Sequence, residues 1–193
     1  MGKGRVEAFS DGVIAIIITI MVLDLKVPHG AALADLKPLA PVFLGYVLSF
    51  AYVGIYWSNH HHMLHLVRRI DGSVLWANLH LLFWLSTVPF ATAWMGENPL
   101  RTAPVALYGF VLLASGAAYT ILQSRLIRLE GPDGALAKAV AKDRKGKVSI
   151  GMYVLGAAAA FFVPLLSLAI YILVACMWVV PDRRIERQLG MGD

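Results

Sequence analysis

The placing of charged side chains divides this chain more sharply than any local motif. Asp, Glu, Lys and Arg are missing from residues 38–67, 72–96, 102–124 and 148–181, and short charged segments stand between these runs. A helix needs roughly 20 apolar residues to cross a bilayer, so each run is long enough. The last run has 34 residues with Pro164 near its middle, too long for one straight span. It divides at Val163–Pro164 into two short helices, because proline breaks a helix interior but suits its first turn. Near the start, residues 12–23 give only 12 uncharged positions, so a spanning helix there must also carry Glu7, Asp11 and Asp24. The pattern predicts helices at about 6–27, 40–66, 73–96, 103–127, 148–162 and 164–182. The expected fold is all-α, a polytopic membrane protein with six transmembrane helices in a single domain, 1–193.

Composition agrees with that pattern. Hydrophobic residues make up 59% and charged residues 15% of the chain, against about 45–50% and 25% in soluble domains. The net charge of +5 comes from 17 basic and 12 acidic residues. Because the cations sit between apolar blocks, the expected partner is membrane lipid with anionic headgroups and not nucleic acid. With six spans, Lys3, Arg5, Arg68, Arg69, Arg125, Arg128, Lys138, Lys142, Arg144, Lys145, Lys147, Arg183, Arg184 and Arg187 fall on one side, 14 of the 17. Only Lys26, Lys37 and Arg101 fall on the other. The positive-inside rule then puts both termini in the cytoplasm of a multi-pass protein of the cell membrane. Glu7 and Asp11 before the first apolar run, with Asp24, Lys26 and His29 after it, make a frame unlike an export signal. The single Cys176 has no partner for an intrachain disulfide.

Carboxylates in the first helix carry the candidate chemistry. A charge near the centre of a membrane helix costs ~2.5–3.5 kcal/mol on insertion scales, so one that remains has a partner or lines water. Asp11 lies more than a turn inside Arg5, in the sequence Arg5-Val-Glu-Ala-Phe9-Ser10-Asp11. This R-x-x-x-F-S-D pattern resembles the first-helix signature of the transmembrane protein 175 family, the potassium channels of lysosomes and their bacterial homologues. The resemblance runs on through residues 12–23, Trp57-Ser-Asn-His60, Asn78-Leu79 and Pro89-Phe90. Beyond the third helix it rests on helix number, length and polarity.

The resemblance implies a passive potassium-conducting channel, with potassium as permeant ion and no cofactor, whose pore is lined by the first helix of each subunit. At about 100° per residue Gly12, Ile16, Thr19, Ile20 and Leu23 share one stripe. If that stripe faces the pore, rings of Ile16, Ile20 and Leu23 form a hydrophobic gate that closes by dewetting. Thr19 then supplies the protein oxygens for selectivity. Periodicity alone does not choose this stripe, since Ile14, Ile17 and Ile18 are equally apolar, and the Thr19 hydroxyl has the alternative of bonding to its own helix. Ser10 and Asp11 point away from the stripe, which makes them a buried clamp, with Arg5, Phe9, Trp57, His60 and Asn78 as the supporting polar network. No T-V-G-Y-G filter loop occurs, so potassium preference must arise differently and can be modest. The R-x-x-x-F-S-D motif occurs once, whereas animal members of the family carry two copies, so a homotetramer is the simplest closed assembly.

The histidines offer a rival chemistry. His60, His61, His62 and His65 cluster on the second helix, with His80 on the third, and His61 and His65 have an i, i+4 spacing that suits a metal. Histidines on adjacent helices can also hold haem, which would make a membrane oxidoreductase. A bland alternative is a set of solvated side chains beside Arg68 and Arg69. A secondary transporter is a third class, but neither repeated halves nor a coupled substrate is visible. No nucleophile-base-carboxylate set or phosphate-binding glycine loop is present.

Overall fold

The computed structural model describes residues 2–140 and 144–179, in which helices are joined by turns and linkers. Helix α1 (Lys3–Met21) leads into a 3-10 turn at Val22–Asp24, then Leu25 is extended at φ −78° and ψ 92°. The first helix therefore stops short of the predicted residue 27. Pro28 has no N–H to offer the Asp24 carbonyl and disfavours a helical residue before it, so a helix running through residue 27 is opposed there. A second 3-10 segment, Leu33–Leu39, was not predicted and delivers the chain into α2 (Ala40–His65), which carries proline in its first turn.

The third predicted helix is two abutting pieces, α3 (Gly72–Ser86) and α4 (Val88–Glu97). Pro89 has no N–H to offer the Leu85 carbonyl, which breaks the ladder at Thr87. The Thr87 hydroxyl turns back to donate to the Trp84 carbonyl at 2.7 Å. Asp71 caps α3 by accepting from the Val74 N–H at 2.9 Å and the Ser73 hydroxyl at 2.8 Å. Those bonds hold its carboxyl below the usual carboxylate range. Helix α5 (Thr102–Glu130) ends at Gly131, whose φ of 91° suits glycine alone. The short α6 (Ala135–Val140) follows, then α7 (Arg144–Ala159) and α8 (Pro164–Val179), the last with proline at its first position as predicted.

Four helical segments, Lys3–Asp24, Leu33–His65, Gly72–Glu97 and Thr102–Glu130, are long and apolar enough to cross a membrane. Helices α7 and α8 have 16 residues each, about 24 Å of helix against a hydrocarbon core of about 30 Å. The predicted end of the sixth helix lies outside the described residues, as do Lys142, Arg183, Arg184 and Arg187. Among the described cations the ends separate clearly. Lys3 Nζ donates to the His65 carbonyl at 3.4 Å, and the Arg69 guanidinium to that of Leu129 at 3.2 Å. The start of α1 and the ends of α2 and α5 thus share one end. At the other, Lys26 is paired with Glu97 at 2.8 Å, which raises the lysine above its ordinary pKa.

Helix α5 is the organising element, packed against α3, α4, α7 and α8. Its buried residues Val105, Tyr108, Leu112, Ser115, Ala118, Leu122 and Leu126 recur every three or four positions, so one continuous stripe faces its neighbours. Tyr171 of α8 fills the space left by the absent side chains of Gly109 on α5 and Gly156 on α7. A methyl group at Gly109 would overlap the Tyr171 hydroxyl. Gly109→Ala is therefore expected to destabilise by ~1–3 kcal/mol through overpacking, outweighing the gain of about 1 kcal/mol in helix propensity. Thermal unfolding in detergent checks this, and adding Tyr171→Phe should recover only a small part of the loss, because the ring carbon that bears the hydroxyl also lies 2.6 Å from the added methyl group.

Candidate functional site

Helix α1 has two unlike faces. Val6, Ser10, Ile14, Ile17 and Met21 are buried at spacings of three and four residues, against α2, α3 and α4. On the far side Gly12, Ile16, Thr19, Ile20 and Leu23 are all exposed, with Ile16 at 58%, Ile20 at 46% and Leu23 at 78%. Packing thus separates isoleucines that periodicity left equivalent. Ile14 and Ile17 belong to the subunit core and Ile18 is half-buried, whereas the stripe that includes Thr19 is uncovered.

The buried face is fastened by a hydrogen-bonded chain across three helices. Asn78 Nδ2 on α3 donates to Ser10 Oγ on α1 at 2.9 Å, and Asn78 Oδ1 lies 2.7 Å from His60 Nε2 on α2. Because the amide nitrogen serves Ser10, the amide oxygen faces the ring, and His60 holds its proton on Nε2 to donate. Ser10, His60 and Asn78 are all buried. Beside them the Trp57 indole N–H donates to Asp11 Oδ1 at 3.0 Å. Five of the seven residues read as a network make these bonds, but only Ser10, His60 and Asn78 form the buried chain; Asp11 is half-buried and Trp57 exposed, so Ser10 and Asp11 are not together a buried clamp.

Arg5 and Phe9 lie outside this set. Arg5 precedes Gly12 by seven residues and Phe9 precedes Ile16 by seven, so both fall on the uncovered face, turned away from Ser10. Phe9 is half-exposed, and the Arg5 side chain makes no hydrogen bond or ion pair among the described residues. Thr19 Oγ1 donates back to the carbonyls of Ala15 at 3.1 Å and Ile16 at 3.0 Å. That is the self-bonding alternative, yet it uses only the hydroxyl proton. The oxygen lone pairs stay available on an exposed face, where a cation needs them.

The histidines do not converge on a metal or haem site. His60 Nε2 is engaged by Asn78, and His80 accepts from the Trp84 indole N–H at 3.0 Å. His61 stacks on Trp57 and stands beside His62 and His65. Among the described residues no group of three or more His, Cys, Asp or Glu side chains could hold a metal. The oxidoreductase reading has no support in this arrangement.

A second buried polar set escaped the sequence reading. Ser49 on α2 hydrogen bonds to Thr92 on α4 at 2.6 Å and to Tyr108 on α5 at 2.9 Å. Nearby the Tyr52 hydroxyl donates to the Tyr171 carbonyl at 2.6 Å. The available signal was position: these tyrosines lie deep in charge-free runs, away from the interfaces where aromatic belts collect.

Comparison with known proteins places this geometry. A family model described as "Endosomal/lysosomal potassium channel TMEM175" matches residues 5–89, which contain every residue of the α1 stripe and of the polar set. A potassium channel of Chryseobacterium sp. (strain P1-3) is 55% identical over 189 residues, covering 98% of each chain. The human endosomal/lysosomal proton channel TMEM175 is 37% identical over 103 residues, which are 47% of this chain and 20% of the human one. Among solved structures, the crystal structure of a lysosomal potassium-selective channel TMEM175 homolog from Chamaesiphon minutus superposes with a TM-score of 0.79 at 31% identity. It covers 93% of this chain and 97% of that one.

Proposed function

This chain belongs to the TMEM175 family of potassium channels, and we propose that it conducts potassium passively through an axial pore lined by α1 in a homotetramer. It is a membrane channel and not an enzyme. One helix per chain cannot enclose a pathway, so the lining requires several copies around an axis, and a homotetramer is the simplest closed assembly for a chain with one copy of a motif that animal members of the family carry twice. The observation that carries this reading is the uncovered apolar stripe on α1, in a helix whose opposite face is fully committed to the subunit core.

In that assembly Ile16, Ile20 and Leu23 form stacked apolar rings. A narrow ring of this kind sheds water and resists ions until it widens, which is gating by dewetting. Thr19 lies among these rings and replaces part of the ion's hydration shell through its hydroxyl oxygen. With no loop of backbone carbonyls in the sequence, the selectivity rests on few oxygens and is modest. Arg5 and Phe9, on the same face at the cytoplasmic end, meet the neighbouring subunits. The six-span arrangement, the single channel domain and the cytoplasmic termini in the cell membrane follow from charge placement, with α7 and α8 as a closely spaced re-crossing pair.

Thr19→Ala is the test of the filter. The substitution removes one hydroxyl oxygen per subunit, and even one lost contact, worth about 0.5–1.5 kcal/mol, should lower the potassium-over-sodium permeability ratio by at least roughly twofold. Reversal potentials in mixed salts read this directly, and an unchanged ratio removes Thr19 from the filter.

A further inference from the structure

A groove of about 540 Å3 runs along the outside of the subunit between α2, α8 and the linker after α4, and its lining is almost wholly apolar. Leu44 and Leu48 form one wall, Leu168 and Ile172 the other, and the small side chains of Ala51 and Ala175 leave the space between them hollow. At one end the lining passes through Ala40, Pro99 and Leu100. This is the Lys26–Glu97 end of the molecule.

Two cations neighbour that mouth along the chain. Arg101 directly follows Leu100, and Lys37 precedes Ala40 by three residues. Of the three basic residues at this end, Lys26 is neutralised by Glu97 at 2.8 Å. Lys37 and Arg101 are exposed, and neither side chain has a hydrogen bond or ion pair among the described residues. An apolar slot capped by two unpaired cations has the amphipathic profile of one phospholipid molecule, acyl chain below and phosphate above.

We propose that this groove binds an anionic glycerophospholipid of the surrounding bilayer, with one acyl chain between α2 and α8 and its phosphate held by Lys37 and Arg101. In the orientation given above this is a lipid of the outer leaflet. The charge at the mouth sets the preference for an anionic headgroup, because each juxtamembrane cation contributes roughly fivefold to such binding.

The test uses the full chain in detergent, mixed with phosphatidylglycerol or with phosphatidylcholine of the same acyl composition, and native mass spectrometry to count retained lipid. The wild type should retain phosphatidylglycerol at least about tenfold better. Joint Lys37→Gln and Arg101→Gln substitution should bring the two lipids to parity. Ala175→Phe should remove both, and Leu48→Trp serves the same purpose if the first variant fails to fold. Preference surviving in the neutralised protein, or undiminished retention in a folded filled-groove variant, would overturn the proposal. Cys176 in the groove wall reports the rival occupant. It should react with a membrane-permeant maleimide and be slowed by phosphatidylglycerol, whereas protection in lipid-free oligomer means that a second copy covers the groove and also overturns it.

Discussion

Replacing Asn78 by leucine is expected to cost ~2–6 kcal/mol of subunit stability and to prevent assembly. The size follows from what is left behind. Interhelical hydrogen bonds in membranes contribute only about 0.6 kcal/mol on average, so the bonds themselves are minor. Orphaning both Ser10 and His60 in a buried site costs about 1–3 kcal/mol for each group, and that effect wins. Thermal unfolding and size-exclusion chromatography in detergent measure the two consequences. The same argument gives a control: Ser10→Ala, His60→Phe and Asn78→Leu combined should be more stable than Asn78→Leu alone, because no polar group then stays unsatisfied. A single Asn78→Leu variant as stable and oligomeric as wild type would show that the chain across α1, α2 and α3 is dispensable.

The second large effect lies on the opposite face of the same helix. Ile20→Asn should hydrate an apolar ring and raise ion flux by about tenfold or more, a barrier change of at least ~1.4 kcal/mol. Ile17→Asn, three residues away, should instead lower the amount of folded protein, since Ile17 is buried against neighbouring helices. Liposome flux normalised to reconstituted protein separates the outcomes. If Ile17→Asn raised flux and Ile20→Asn unfolded the chain, the pore and core faces of α1 would be exchanged.

The contrast between these two isoleucines marks where sequence reasoning stops. Charge-free runs and Pro164 located α2, α5 and α8, because exclusion of charge from lipid is a property of each segment alone, whereas α1 carries Lys3, Arg5, Glu7 and Asp11 and had to be read from its shorter apolar run. Helical spacings of three, four and seven residues placed Gly12, Ile16, Thr19, Ile20 and Leu23 on one face, but choosing that face over Ile14 and Ile17 needed the packing partners of α1. The same geometry, applied to Arg5, would have put it in line with Gly12; its chemistry as a cation near Asp11 argued for a partnership that helical rotation denies. Asp11 found Trp57, and Asn78 bridged Ser10 to His60, through contacts between residues 18 to 68 positions apart in the chain. The break at Thr87 was legible from Pro89, whose missing N–H acts locally. The Ser49, Thr92 and Tyr108 set was not, since hydroxyls that bond to one another across helices leave no periodic trace.

Potassium flux from liposomes, with a proton ionophore present and a thiol placed on the pore face, tests the central claim most directly. In a Cys176→Ser background carrying Ile20→Cys, potassium-loaded vesicles should release their ion faster than sodium-loaded ones, and a thiol-specific reagent should stop the flux. The same reagent should leave a Cys176→Ser protein without the second change unaffected. Flux that continues after complete modification at Ile20→Cys would contradict a pathway lined by α1.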